Sequence, residues 1–182
     1  PIGITTQMIR DAAAGGRLKE PVEQALPKLV DQYNFFHWHL AFPDVFQLSE
    51  DESLENEETG WNGGFDLIIG NPPWEKMKVE EKEFFSLHSP EISSVKDKKL
   101  RSNLISELKI NNPVLHESFL SAKQELKRQT NFFLNSNLYV DTGRGDINLY
   151  ALFSELSYNL TKLYGKIGIV IPSGITTDET GR

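Results

Sequence analysis

The clearest hydrophobic pattern in the chain is the run from Phe65 to Gly70, a short apolar segment that is interrupted only by Asp66. Such a run is typical of a buried β-strand. Prolines follow at positions 72 and 73, and neither has a backbone N–H to give to a sheet ladder. The sequence therefore predicts a strand that ends at Gly70 and a stiff turn beyond its carboxyl end, where open α/β sheets bind ligands.

Apolar residues at helical spacing predict several helices around this strand. Upstream, Val22 to Tyr33 has the pattern of an amphipathic helix, which Pro27 is expected to kink or to divide into two short helices. Downstream, three helices are expected at residues 78–87, 94–108 and 114–133. A further helix should begin after Asp146 as its N-cap, continue to Leu163, and have Gly165 at its C′ position.

Two more strands are expected on either side of the helical region. Residues from Phe35 to Phe42 alternate, with apolar and aromatic side chains on one face and His37 and His39 on the other. Lys166 to Ile171 has the pattern of a second buried strand, parallel to the first. The order of strand, helices and strand predicts an α/β fold with a parallel sheet.

Composition excludes some classes of function. The chain has 182 residues, enough for one domain with a core, and no cysteine for a disulfide or a thiolate metal site. His37 and His39 have no third ligand at a suggestive spacing, so we expect no metal. No apolar run of about 18 residues could span a membrane, and we expect a cytoplasmic protein.

The net charge of −7 is concentrated in one segment. Six acidic residues lie between Glu50 and Glu58, in a polar stretch that closes with Asn62-Gly63-Gly64. Residues 47–64 are therefore predicted to form a flexible acidic surface loop, because so little apolar area cannot offset the entropy of ordering. Basic residues at positions 96–101 and 123–128 are candidates for phosphate contacts or for solvated helix faces.

The turn after the first strand carries groups that suit one kind of chemistry. An exocyclic amine on an aromatic ring is a poor nucleophile, because its lone pair is delocalised into the ring. The side-chain carbonyl of Asn71 and the main-chain carbonyl of Pro72 could accept its two protons. Trp74 supplies a flat face on which a flipped-out base could stack. The alternative interpretation is a proline-rich turn with an exposed tryptophan.

Three stretches of the sequence resemble one family. Gly70-Asn71-Pro72-Pro73-Trp74 resembles motif IV of the amino-methyltransferases, which use S-adenosylmethionine (SAM) to methylate N6 of adenine in DNA. Phe36 to Phe46 is similar to the segment upstream of motif IV in the large type IIG restriction–modification methylases. Asp146 to Phe153, followed by Gly165 to Ser173, is similar to their next helix and strand.

The resemblance implies a fold and a set of catalytic residues. The fold would be part of a class I SAM-dependent methyltransferase, a Rossmann-like parallel sheet with a mainly helical insertion at residues 75–145. The catalytic residues would be Asn71, Pro72, Pro73 and Trp74. Residues 1–182 would be the C-terminal part of the catalytic domain.

The resemblance also implies a cofactor. SAM would be contacted by Gly70 and Asn71, by Asp44, and by Val45 or Phe46 packing on its adenine ring. Asp44 could equally cap a turn. No Phe-x-Gly-x-Gly loop occurs in the sequence, and in the family this SAM-binding loop lies upstream. We therefore expect the main binding loop outside this fragment and expect the isolated fragment to be inactive.

The implied partner is double-stranded DNA with a flipped adenine. In the family, a target-recognition domain elsewhere in the full chain carries most of the DNA contacts, which is compatible with an acidic fragment. One alternative is methylation of a protein glutamine at N5, since those enzymes use a similar Asn-Pro-Pro-aromatic turn. Another is a non-catalytic module that retains the fold as a docking surface.

Overall fold

A computed structural model of the chain describes residues 4–47 and 60–176. The chain divides into two compact units, Pro1–Leu48 and Ser49–Arg182. Most of the acidic loop predicted at residues 47–64 lies outside the described residues. Within the described ranges, no helix is both long enough and apolar enough to cross a bilayer.

The first unit is mainly helical. Its elements are α1 (Thr6–Ala13), α2 (Glu20–Tyr33), α3 (Trp38–Ala41) and the short strand β1 (Phe46–Gln47). The hydroxyl of Thr5 caps α1 by accepting a hydrogen bond from the backbone N–H of Met8 at 3.3 Å. Helix α2 continues through Pro27, so of the two expected outcomes, a kinked helix or two short helices, the division into two helices was wrong.

The strand predicted from Phe35 to Phe42 is also wrong, because the segment contains the single helical turn α3. The backbone N–H of Phe42 donates to the carbonyl of Trp38 at 2.8 Å, and the two rings stack with their centroids 5.9 Å apart. Side chains four residues apart are neighbours on a helical turn, whereas in an extended strand they lie about 13 Å apart. A short alternating aromatic segment therefore does not distinguish a strand from a turn of helix.

The second unit contains the remaining elements. In chain order they are β2 (Asn62–Gly63), β3 (Phe65–Gly70), α4 (Glu81–His88), α5 (Pro90–Ser94), α6 (Lys98–Asn111), α7 (Pro113–Asn135), α8 (Leu149–Leu160), β4 (Thr161–Ile169) and a 3₁₀ helix (Ser173–Thr176). The three helices predicted after the first strand are confirmed as α4, α6 and α7. Helix α5 is an additional short helix that was not predicted, and Pro90 is its first residue.

Helices α4 to α7 share an apolar core. Its buried members are Phe85, Ile92, Ile105, Leu108 and Phe119. A partly buried charge pair joins two of these helices: Nε of Arg101 donates to Oε2 of Glu81 at 3.0 Å, and its Nη1 donates to the carbonyl of Val95 at 2.9 Å. None of the described residues of the sheet belongs to this core. The four helices therefore pack mainly on one another.

Strands β3 and β4 form a parallel pair, as the alternation of elements predicted. Gly70 is the last residue of β3 and lies opposite Ile169 in the register. The mixed α/β class with a parallel sheet and the end of the first strand at Gly70 are therefore confirmed. The described part of this sheet has two strands.

Strand β4 begins earlier than the sequence predicted. The N-cap of helix α8 is Asn148, so the prediction of Asp146 as the N-cap was wrong. Helix α8 ends at Leu160 and not at Leu163, because β4 follows directly at Thr161. Gly165 lies inside β4, where the register against β3 is irregular, and is not a helix C′ residue. A Cβ on Gly165 would lie 2.9 Å from the carbonyl oxygen of Phe65, so the close approach of the strands explains this glycine.

Neither strand of the sheet is buried in the way the apolar runs predicted. The exposed fractions of Leu67 and Ile69 are 54% and 75%. Apolar strands of parallel sheets are usually covered on both faces by helices. In the described part of the chain, α4 to α7 bury their apolar faces against one another instead, which leaves these strand residues open.

Candidate active site at the carboxyl end of β3

The four residues that follow β3 form a turn that is joined to the end of β4. The backbone N–H of Val170 donates to the carbonyl of Gly70 at 3.0 Å, which continues the parallel pairing by one step. Pro72 is buried, whereas Asn71, Pro73 and Trp74 are exposed. Pro72 thus holds the turn against the protein, and the residues before and after it are exposed.

The Trp74 side chain has a defined attachment. Its indole N–H donates to the carbonyl oxygen of Val170 at 3.3 Å, although 53% of the residue remains exposed. The hydrogen bond fixes the edge of the ring at the carboxyl end of β4. Part of the aromatic surface consequently stays accessible in a set orientation.

A second attachment lies just downstream, and we call it the β-bridge. It consists of Glu75–Met77 paired in antiparallel fashion with Ile147–Leu149. The N–H of Met77 donates to the carbonyl of Ile147 at 2.9 Å, and the N–H of Leu149 donates to the carbonyl of Glu75 at 3.0 Å. The β-bridge connects the turn to the N-terminus of α8, and no sequence pattern indicated it.

The two predicted proton acceptors of the turn are both available. Neither the Asn71 side chain nor the Pro72 carbonyl makes a hydrogen bond with the described residues. Because the turn is held by Val170 and by the β-bridge, the Pro72 carbonyl needs little reorganisation to meet an incoming donor, and the Asn71 side chain extends from a fixed backbone. The turn therefore offers two unoccupied hydrogen-bond acceptors and a partly exposed aromatic ring within four consecutive residues.

The predicted cofactor residues of the first unit lie around a turn. Asp44 lies in a turn that precedes β1, and it does not follow a strand, because the strand predicted from Phe35 to Phe42 does not form. Its carboxylate is exposed and makes no hydrogen bond with the described residues, so it does not cap this turn. Val45 is half-buried, and Phe46 is buried with 3% exposure.

Gly70, which was also predicted to contact the cofactor, leaves space at the end of β3. A Cβ built on this residue would meet no atom within 4 Å. The edge of the sheet is therefore open beside its backbone, and a bound molecule could approach closely there.

Charged groups near the turn are partly neutralised. Nζ of Lys78 lies 2.7 Å from Oε1 of Glu80, which raises the pKa of Lys78 and lowers the pKa of Glu80. At the opposite end of β3, Lys162 forms an ion pair with Asp66 and lowers the pKa of that carboxyl. Lys76, in the β-bridge, is exposed and has no acidic partner among the described residues.

No sequence pattern distinguishes Lys76, because its charge stands next to the opposite charge of Glu75. His37 and His39, weighed above as metal ligands, have ring centroids 5.9 Å apart. In residues 4–47 and 60–176, no group of three histidine, cysteine, aspartate or glutamate side chains could hold a metal ion.

Comparison with known families gives one match. A family model described as Eco57I restriction-modification methylase matches residues 9–108, which is more than half of the chain and includes both Asp44 and the turn after β3. Neither the curated proteins nor the solved structures gave a match. The resemblance to restriction–modification methylases is confirmed. The chain therefore belongs to the Eco57I restriction-modification methylase family.

Proposed function

We propose that this chain is part of a SAM-dependent DNA methyltransferase that methylates N6 of a flipped-out adenine, within a restriction–modification or phage-defence protein. Its fold would be that of a Rossmann-like class I methyltransferase. The observation that carries the proposal is the turn from Asn71 to Trp74, which is attached to Val170 on one side and to the β-bridge on the other. Membership of a restriction-modification methylase family supports DNA as the substrate.

The proposed role of the turn is to make the adenine amine nucleophilic. Oδ1 of Asn71 and the carbonyl of Pro72 each accept one N–H of the amine, which draws the nitrogen toward a tetrahedral geometry. These hydrogen bonds strengthen as the nitrogen gains positive charge, so they stabilise the transition state more than the ground state. Pro72 and Pro73 fix the backbone that carries both acceptors.

Trp74 supplies the stacking surface for the extruded base. Enzymes that act on a base outside the helix pay for its unstacking and recover part of that free energy through aromatic contacts. The hydrogen bond from the indole N–H to Val170 supports this role, because a ring that is already oriented loses little entropy when a base stacks on it.

The residues of the first unit fit part of a SAM site. An exposed carboxylate at Asp44 next to an apolar side chain at Val45 is a suitable pair for an adenosine group. We assign the apolar contact to Val45 because Phe46 is buried. The open edge at Gly70 and the Asn71 backbone would lie beside the cofactor. SAM supplies an electrophilic methyl group on a sulfonium centre.

Asn71→Ala in the full-length protein tests the proposal. The expected result is a loss of about 100- to 1,000-fold in methyl transfer, because a preorganised electrostatic partner of the transition state is removed. The measurement is transfer of a tritiated methyl group from SAM to duplex DNA, followed by identification of the labelled nucleoside. Asn103→Ala is the matched control, since Asn103 is an exposed asparagine on α6, and it should retain full activity.

Each outcome of this assay separates the alternatives. Label on N6 of adenine that disappears in Asn71→Ala supports the proposal. Label on a protein glutamine would indicate N5 methylation of protein instead. No transfer to any substrate by a folded full-length protein would favour a non-catalytic module, and full activity of Asn71→Ala would remove Asn71 from the mechanism.

A further inference from the structure

We propose that Lys76 binds a phosphate of the DNA backbone beside the flipped nucleotide. The inference rests on the proposed function and adds a DNA contact from within this acidic chain. Lys76 differs from Lys78, the other lysine close to the turn, in that its charge has no acidic partner among the described residues.

The backbone of Lys76 is held on both sides. In the β-bridge, Lys76 lies directly opposite Asn148, and the hydrogen bonds of Met77 and Leu149 flank the pair. Successive side chains of an extended segment point to opposite faces, so Glu75 is directed away from the face that Lys76 occupies. The Lys76 side chain therefore extends from a fixed backbone, on the face opposite to that of Glu75.

The charge of Lys76 is available for an external anion. Lys78 is neutralised by Glu80 at 2.7 Å, and the charge of Asp146 acts on it as well. Lys162 is paired with Asp66. Lys76 has no such partner among the described residues and is exposed. Of Lys76, Lys78 and Lys162, Lys76 is thus the one whose charge is not paired with a described acidic residue, in a chain of net charge −7.

Lys76 is also within reach of the substrate backbone. Lys76 is five positions along the chain from Asn71, so their Cα atoms lie at most about 18 Å apart. Phosphates of one DNA strand follow one another every ~3.4 Å along the helix axis, so several phosphates next to the extruded nucleotide fall within this distance. A phosphate contact there would position the strand while the turn reads the base.

The test compares Lys76→Ala with Lys78→Ala in the full-length protein, using duplex DNA that carries the target site. Each phosphate contact contributes about 0.9 to the slope of log K against log salt. Between 50 and 200 mM salt, the affinity of Lys76→Ala should therefore fall about 3.5-fold less than that of the wild type. Lys78→Ala should keep the wild-type slope, and Lys76→Arg should restore most of it. The KM for DNA should rise in Lys76→Ala while kcat stays within about twofold.

The outcomes distinguish this inference from the proposed function. A wild-type slope in Lys76→Ala, with normal DNA binding and methylation by the wild type, would overturn the role of Lys76 alone. Equal losses in Lys76→Ala and Lys78→Ala would also overturn it, since they would indicate a general effect of charge. Absence of DNA binding by the wild type would overturn the proposed function and this inference together.

Discussion

At the scale of single residues, Trp74 combines two features that mutation can separate. The residue is 53% exposed and its ring could stack on a base, and its N–H is hydrogen-bonded to the carbonyl of Val170. The first feature depends on an aromatic face, and the second depends on the indole nitrogen. A phenylalanine keeps the face and loses the donor, whereas an alanine loses both.

We expect Trp74→Ala to weaken capture of the flipped base by about 1–3 kcal/mol, the usual value of one base–aromatic stack. Trp74→Phe should cost about 1 kcal/mol or less, because an exposed hydrogen bond contributes little net free energy. A fluorescent adenine analogue at the target position of the DNA reports extrusion of the base in both variants. If Trp74→Phe were as damaging as Trp74→Ala, the hydrogen bond to Val170 rather than the ring face would carry the effect.

At the scale of secondary-structure elements, helices α4 to α7 have a core of their own. Phe85 on α4 is fully buried against Phe119 of α7, with ring centroids 4.9 Å apart. Leu87, two residues along the same helix, is 84% exposed. The two side chains therefore provide a matched pair for measuring what the core contributes to stability.

Phe85→Ala should lower the free energy of unfolding by about 3–5 kcal/mol, since it removes a buried ring and leaves a cavity. Leu87→Ala should change it by about 0.5 kcal/mol or less. Urea denaturation followed by far-UV circular dichroism measures both variants under the same conditions. Similar losses in the two variants would show that α4 is held by contacts other than its buried face.

At the scale of the whole molecule, the proposed contacts to the cofactor come from few residues. Asp44 and Val45 belong to one unit, and Gly70 and Asn71 belong to the other. The sequence contains no Phe-x-Gly-x-Gly run of the kind that holds the methionine part of SAM. The binding groups in these residues are few, and ligand affinity depends on many placed contacts.

We therefore expect residues 1–182 alone to bind SAM weakly or not at all. Isothermal titration calorimetry of this chain with SAM measures the affinity, and S-adenosylhomocysteine serves as a second ligand that lacks the methyl group. A stoichiometric dissociation constant in the low micromolar range would contradict the expectation. It would mean that these residues hold the cofactor without a glycine-rich loop.

The open face of the sheet belongs to the same scale. Leu67 and Ile69 are exposed although their strand has an apolar sequence. The sequence could indicate that these side chains favour burial, because hydrophobicity is a property of each residue. It could not indicate what covers them, because α4 to α7 use their apolar faces for their own core.

By itself, the sequence determined the features that depend on local covalent or periodic constraints. Pro72 and Pro73 end β3 at Gly70 because they cannot donate to a ladder, and the helical spacing of apolar residues predicted α4, α6 and α7. The resemblance of the turn and its flanks to methylases of restriction–modification systems was likewise contained in a few adjacent residues, and the family match agrees with it.

Only the tertiary structure decided the features that depend on distant contacts. The β-bridge joins residues about seventy positions apart, and its formation gives Lys76 a fixed backbone while Glu80 neutralises Lys78. Gly165 lies in a strand, where a Cβ would be 2.9 Å from the carbonyl oxygen of Phe65, so the pairing of the strands favours glycine there. Hydrogen bonds and close packing between remote segments have no periodic signal along the chain, so their partners become defined only when the fold brings them together.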